Sequence, residues 1–179
     1  GGDAKSMVDE AKAKGFTLML PDMKGGMSMD SVVDKITLMN EMDTDYSGII
    51  FIFDTLKKMT DVISKCKAKE LYKTLRGLSA KGMTIVLLCH TNKYNDADGM
   101  PIYEGTGDLR SDVDELIYLI PKKNADGSMT VSTLPDKVRG AFEPMTFHIS
   151  PDRKVSLSSE FVDVLEDNKH QRQLEDDES

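Results

Sequence analysis

The feature that most constrains this chain is the run Gly48-Ile49-Ile50-Phe51-Ile52-Phe53-Asp54-Thr55. It is short, unbroken and rich in β-branched and aromatic residues, and it ends in a carboxylate. Those properties predict a strand buried on both faces, as at the centre of a parallel sheet. Open α/β sheets place their ligands at the carboxyl ends of the strands, so Asp54 falls where a ligand would sit. An acid there can hold Mg²⁺ beside a phosphate chain. It can equally cap the turn or helix that follows.

A second apolar run, Thr84 to Cys89, delivers His90 and Thr91. Between the two runs, Ala68, Leu71, Leu75 and Leu78 recur at helical spacing, which predicts a helix over Val62 to Ala80 with Gly82 as its stop. Strand, helix, strand at this spacing is a right-handed crossover, so the two strands are expected to be parallel and to present Asp54 and His90 at one edge. Upstream, the pattern predicts a helix over Asp3 to Lys14 ended by Gly15, a strand over Phe16 to Leu20, and a helix over Ser31 to Met42 capped by Asp30. The Lys24-Gly25-Gly26 loop is no phosphate cradle. The G-x-x-x-x-G-K-[ST] spacing occurs nowhere in the chain.

Downstream, Asn92 to Gly105 is a long polar loop, and ordered loops of that length at a sheet edge are usually functional. Its Asp96-Ala97-Asp98-Gly99 segment fails as a calcium loop, because Tyr94 and Gly105 would occupy positions that need acids. A strand is expected over Glu115 to Ile120. Asn124-Ala125-Asp126-Gly127 is a hairpin turn joining Tyr118–Lys122 to Met129–Leu134. Further strands over Met145 to Ile149 and around Val155 make the last third an antiparallel extension. Lys137 and Arg139 alternate along a strand and so share a face. From Asp163 the chain is charged and polar, which predicts one domain over 1–162 and a disordered tail over 163–179.

The formal net charge is -8. That argues against a general basic coat for nucleic acid, while leaving room for a few lysines focused on one face. Cys66 and Cys89 lie in unlike contexts and read as reduced thiols of a cytoplasmic protein. The apolar runs are too short to span a bilayer, so no membrane partner is expected.

Taken in order, Asp54 after its apolar strand, His90-Thr91-Asn92-Lys93, Gly105-Thr106-Gly107-Asp108 with Asp112 and Asp114, and Lys137-Val138-Arg139 resemble the ATPase core of the RecA-like superfamily. The likeness is to hexameric replicative helicases of the DnaB and plasmid RepA type and to phage helicase-primases. It covers roughly Ile49 to Ile149. The resemblance implies a three-layer α/β fold with a mostly parallel sheet, here extended by the antiparallel hairpin. The N-terminal part of that fold, with the phosphate-binding loop and the strand after it, has no counterpart in this sequence. It implies a fragment of an ATP-hydrolysing DNA motor, inactive alone, whose intact parent uses ATP and Mg²⁺.

By the same resemblance Asp54 would hold Mg²⁺ and His90 would read the γ-phosphate. Lys137 and Arg139 would reach into a neighbouring copy's site in a ring. Lys93, helped by Lys57 and Lys58, would contact single-stranded DNA. An apolar surface left by the missing portion is expected to drive self-association. Two other readings stand beside this one: a non-catalytic assembly or nucleic-acid-binding module on a RecA-like scaffold, and a metal-dependent hydrolase using Asp54, His90 and Asp108.

Overall fold

The computed structural model describes residues 4–17, 29–56, 65–97, 99–104 and 108–177. The chain divides into two compact units, Gly1–His90 and Thr91–Ser179. The physical reason is hydrogen bonding: among the described residues the strands form two separate sheets, one of two strands and one of four. The architecture is mixed α/β, with parallel pairing confined to the first sheet.

Unit 1 begins with α1 (Ala4–Ala13) and α2 (Met29–Glu41). Gly15 ends α1 at φ 87°, with Gly15 N donating to Lys12 O and Phe16 N to Ala11 O. This is a Schellman closure, which needs a residue tolerant of positive φ. Phe16 and Thr17 are not in a strand, and the rest of the strand expected over Phe16 to Leu20 lies outside the described residues. Asp30 sits inside the first turn of α2 rather than before it.

β1 (Ile50–Asp54) pairs in parallel with β2 (Thr84–Leu88), and α3 (Lys65–Ala80) runs between them in sequence. Leu71, Leu75 and Leu78 of α3 are buried, as their spacing predicts, together with Val32 and Ile36 of α2. The two helices approach closely at Gly77, where a Cβ would lie 2.1 Å from Asn40 Oδ1. Gly82 (φ 92°) closes α3 with the same Schellman pattern, through Gly82 N to Ser79 O and Met83 N to Leu78 O.

The expectation that β1 is buried on both faces is not met. Phe53 is buried, and its ring lies 4.7 Å from that of Phe51 between centroids. On the opposite face Ile50 and Ile52 are 64% and 53% exposed, and Val86 and Leu88 of β2 are exposed beside them. An unbroken apolar run does not report which of its alternate side chains will find a covering layer.

Unit 2 carries the short α4 (Asp108–Asp112) and a meander of β3 (Leu116–Lys123), β4 (Met129–Lys137), β5 (Thr146–Ile149) and β6 (Val155–Leu157). The hairpin between β3 and β4 turns at Gly127 (φ 82°), as Asn124-Ala125-Asp126-Gly127 predicts. Asp126 Oδ1 accepts from the Ser128 N–H at 2.9 Å and from its hydroxyl at 2.6 Å. The four strands form their own sheet instead of extending a parallel one.

The expected disordered tail is instead α5 (Val164–Asp177). Val164 is fully buried against Tyr118 and Ile120, with Leu165 packed on the same cluster. Glu166 N donates to Asp163 Oδ1 at 3.1 Å, an N-cap that satisfies one of the helix's first unpaired donors. Lys122 Nζ reaches Asp167 Oδ2 at 2.9 Å and Asn168 Nδ2 reaches Pro121 O at 3.3 Å, tying α5 to β3. Burial of the first turn anchors a helix whose sequence is otherwise mostly charged and polar.

Candidate functional site

Three places carry the residues singled out by the sequence, one in unit 1 and two in unit 2. In unit 1 the register of the parallel pair sets Asp54 opposite Leu88. His90 follows two residues beyond Leu88, so both side chains belong to the carboxyl end of adjoining strands. The local sequence explains the placement. Leu56, 4% exposed, anchors the chain directly after Asp54. Met83, 3% exposed, anchors the chain before β2, just past the Gly82 turn. The Asp54–Thr55 peptide bond is cis. Asp54 and His90 are both solvent-exposed. Lys57 and Lys58 lie outside the described residues.

Among the described residues no group of three or more His, Cys, Asp or Glu side chains is arranged to hold a metal ion. Asp54 could therefore hold a hard cation only as one carboxylate among waters and ligand oxygens, an arrangement that suits Mg²⁺ on a phosphate chain. The metal-dependent hydrolase reading draws no ligand cluster from the described residues. Beside His90, desolvation pushes the Cys89 thiol above its ordinary range, the direction opposite to that which favours a thiolate.

In unit 2 the segment after His90 folds back on itself. Thr91 bridges Tyr103, Asn92 N donates to Ile102 O at 2.7 Å, and Asp96 N donates to Met100 O at 2.9 Å. The polar loop is thus a narrow irregular hairpin. Lys93 and Tyr94 stand on it, with Lys93 Nζ 5.4 Å from the Tyr94 ring centroid and Tyr94 74% exposed. The sequence points to Lys93 as a DNA contact and assigns no such role to Tyr94. Its signal was an aromatic next to a lysine in a polar loop, in a chain with few aromatics.

Lys137 and Arg139 are not on one strand, since β4 ends at Lys137. Lys137 Nζ donates to the carbonyls of Arg110 (2.8 Å), Ser111 (3.2 Å) and Val113 (2.7 Å) at the end of α4. Arg139 Nη1 lies 2.8 Å from Asp114 Oδ1, and both side chains are more than half exposed. Arg110 returns the contact, with Nε 2.7 Å from Asp136 Oδ2 and Nη2 3.3 Å from Asp136 Oδ1. The Asp136 carboxylate raises the Arg110 guanidinium still further above its ordinary range. The structure thereby brings together two stretches distant in sequence, Asp108–Asp114 and Lys137–Arg139.

Unit 2 also has a cleft of about 240 Å³ lined by Thr91, Asn95, Pro101, Ile120, Leu165 and Lys169, among others. Its Asn95 carboxamide donates to Gly99 O, and its Lys169 ammonium is paired with Glu166. No family model matches the chain, and no curated protein is significantly similar to it.

Proposed function

We propose that this chain is part of a RecA-like ATP-hydrolysing motor of the hexameric DNA-helicase kind and carries the metal-holding and phosphate-sensing side of its nucleotide site. The supporting observation is the parallel pairing of β1 with β2, which puts Asp54 and His90 at one sheet edge. ATP with Mg²⁺ supplies a γ-phosphoryl group for in-line attack by water. Asp54 would hold Mg²⁺ through its water shell, and the metal would neutralise charge on the phosphate chain. His90 donates to or accepts from the γ-phosphate side and transmits its presence to the segment that continues into the Lys93 loop. Arg139 places positive charge at a neighbouring copy's site, where developing charge is best stabilised by preorganised donors. Lys93 and Tyr94 meet single-stranded DNA, with the lysine on phosphate and the ring on a base. The sequence has no G-x-x-x-x-G-K-[ST] spacing of its own, and the working form is a homo-oligomeric ring.

The test is DNA-stimulated ATP hydrolysis by the complete reading frame that contains this sequence. Asp54→Asn is expected to lower hydrolysis by about 10²-fold or more with the fold intact. Undiminished hydrolysis in that variant overturns the assignment. A complete protein that binds single-stranded DNA but hydrolyses no nucleotide supports the non-catalytic module instead.

A further inference from the structure

Lys137 and Arg139 form a cation pair in sequence but have unlike surroundings. An ammonium group has three N–H donors and no acceptor. Lys137 spends them on three backbone carbonyls, of Arg110, Ser111 and Val113, at 2.7 to 3.2 Å. The last carbonyls of any helix lack partners within it, and α4 ends at Asp112. Lys137 therefore supplies what the end of α4 lacks. The neighbouring Asp136 holds Arg110 through two guanidinium nitrogens, so α4 and the end of β4 are laced in both directions. Moving the Lys137 ammonium to an outside anion would leave those carbonyls without their donor.

Arg139 differs on each point. Its partner among the described residues is a single carboxylate oxygen of Asp114 at 2.8 Å, and the two side chains are 55% and 60% exposed. Ion pairs of that exposure contribute little to stability and exchange readily. A guanidinium also retains enough donors to grip two oxygens of a phosphate at once.

We propose that Lys137 is a positioning residue that clips the end of α4 to the end of β4. Arg139 is then the one cation of the pair free to exchange its partner, Asp114, for a phosphate oxyanion of a neighbouring copy's nucleotide. The second half of this inference rests on the function proposed above; the first half does not.

Two measurements test it. Amide exchange over residues 109–114 of this chain is expected to quicken about tenfold or more in Lys137→Met and to stay within about twofold of wild type in Arg139→Ala. Exchange unchanged in Lys137→Met overturns the clip. In the complete protein, Arg139→Ala is expected to lower ATP hydrolysis by about 10²-fold or more. Lys137→Gln removes the charge but keeps two N–H donors, so any loss of hydrolysis should follow its loss of exchange protection. A Lys137→Gln protein with protected amides and a loss as deep as that of Arg139→Ala overturns the division of roles. If the wild-type complete protein hydrolyses nothing, the proposed function fails and the exchange measurement alone decides the clip.

Discussion

Replacing Gly82 by alanine separates backbone strain from steric exclusion, and unit 1 contains its own control. Gly82 has φ 92°, and a Cβ there would lie 2.4 Å from Ser47 Oγ, 3.0 Å from Ser47 N and 3.1 Å from Asp45 Oδ1. Ser47 cannot simply swing away, because its hydroxyl and its N–H both donate to Asp45 Oδ1, at 2.6 and 2.9 Å. Gly48 has nearly the same conformation, φ 84°, with nothing within 4 Å of its would-be Cβ. Left-handed backbone costs an alanine about 1–2 kcal/mol at either position. Forcing a methyl into filled space adds about 1–3 kcal/mol, at Gly82 only. Gly48→Ala is therefore expected to lose about 1–2 kcal/mol, and Gly82→Ala about 2–5 kcal/mol, the sum of those two ranges. Urea unfolding, read alongside amide exchange of the β1 and β2 strands, measures both. Ser47→Ala in the Gly82→Ala background should recover about 1 kcal/mol in a double-mutant cycle, because it deletes the nearest atom but leaves the backbone contact. Equal losses in the two glycine variants, or no coupling to Ser47, would refute the steric argument.

Other expectations follow from single contacts. The Ser128 hydroxyl, and then its N–H, hold the Asp126 carboxyl below the usual carboxylate range. Its folded value lies below its unfolded one, so the stabilisation is present above the ordinary carboxylate pKa and is lost as pH falls through the folded value. Ser128→Ala should move the Asp126 titration, followed by NMR, back up; an unmoved titration rejects the cause assigned. Lys81 Nζ donates to Asn40 O and Met42 O at the end of α2. Lys81→Met should cost about 1–3 kcal/mol in urea unfolding, and a neutral result would mean water replaces the cap. Tyr94→Ala in the complete protein should weaken single-stranded DNA binding roughly 5- to 100-fold, the range for one stacked base. Unchanged affinity removes the ring from the interface. Ile52→Lys, on the exposed face of β1, should abolish any concentration-dependent association seen by light scattering, with β1–β2 exchange protection retained. Association that persists lies elsewhere on the surface.

What the sequence made legible follows from what side chains encode. The apolar run ending in Asp54 and the one ending in His90 are strands, and their separation by a helix-length segment implied the parallel pairing that is observed. The hairpin at Asn124–Gly127 was equally plain, because a tight turn demands particular residues at particular places. The exposed side of β1 was not legible, since Ile50 and Ile52 are as apolar as Phe51 and Phe53 and only the neighbouring layers distinguish them. α5 is not legible as a helix because its composition is that of a solvated tail. The signal lay in four residues at its start, Asp163 and Glu166 as cap and capped donor, and Val164 and Leu165 as the buried turn.

The role of Lys137 was hidden for a deeper reason. Its partners are backbone carbonyls 24 to 27 residues upstream. Every residue carries the same carbonyl, so no pattern of side chains announces that one is waiting for a donor. A sequence motif therefore reports that a cation stands at position 137 and cannot report whether its charge is spent inside the fold. The same holds for Lys81, whose bonds to Asn40 and Met42 close the end of α2. In each unit a lysine remote in sequence completes the open end of a helix. Where a motif pairs two cations, then, the pair should be split by their acceptors before either is given a ligand. Three backbone carbonyls tie Lys137 to its own fold, whereas one exposed carboxylate leaves Arg139 able to change partners.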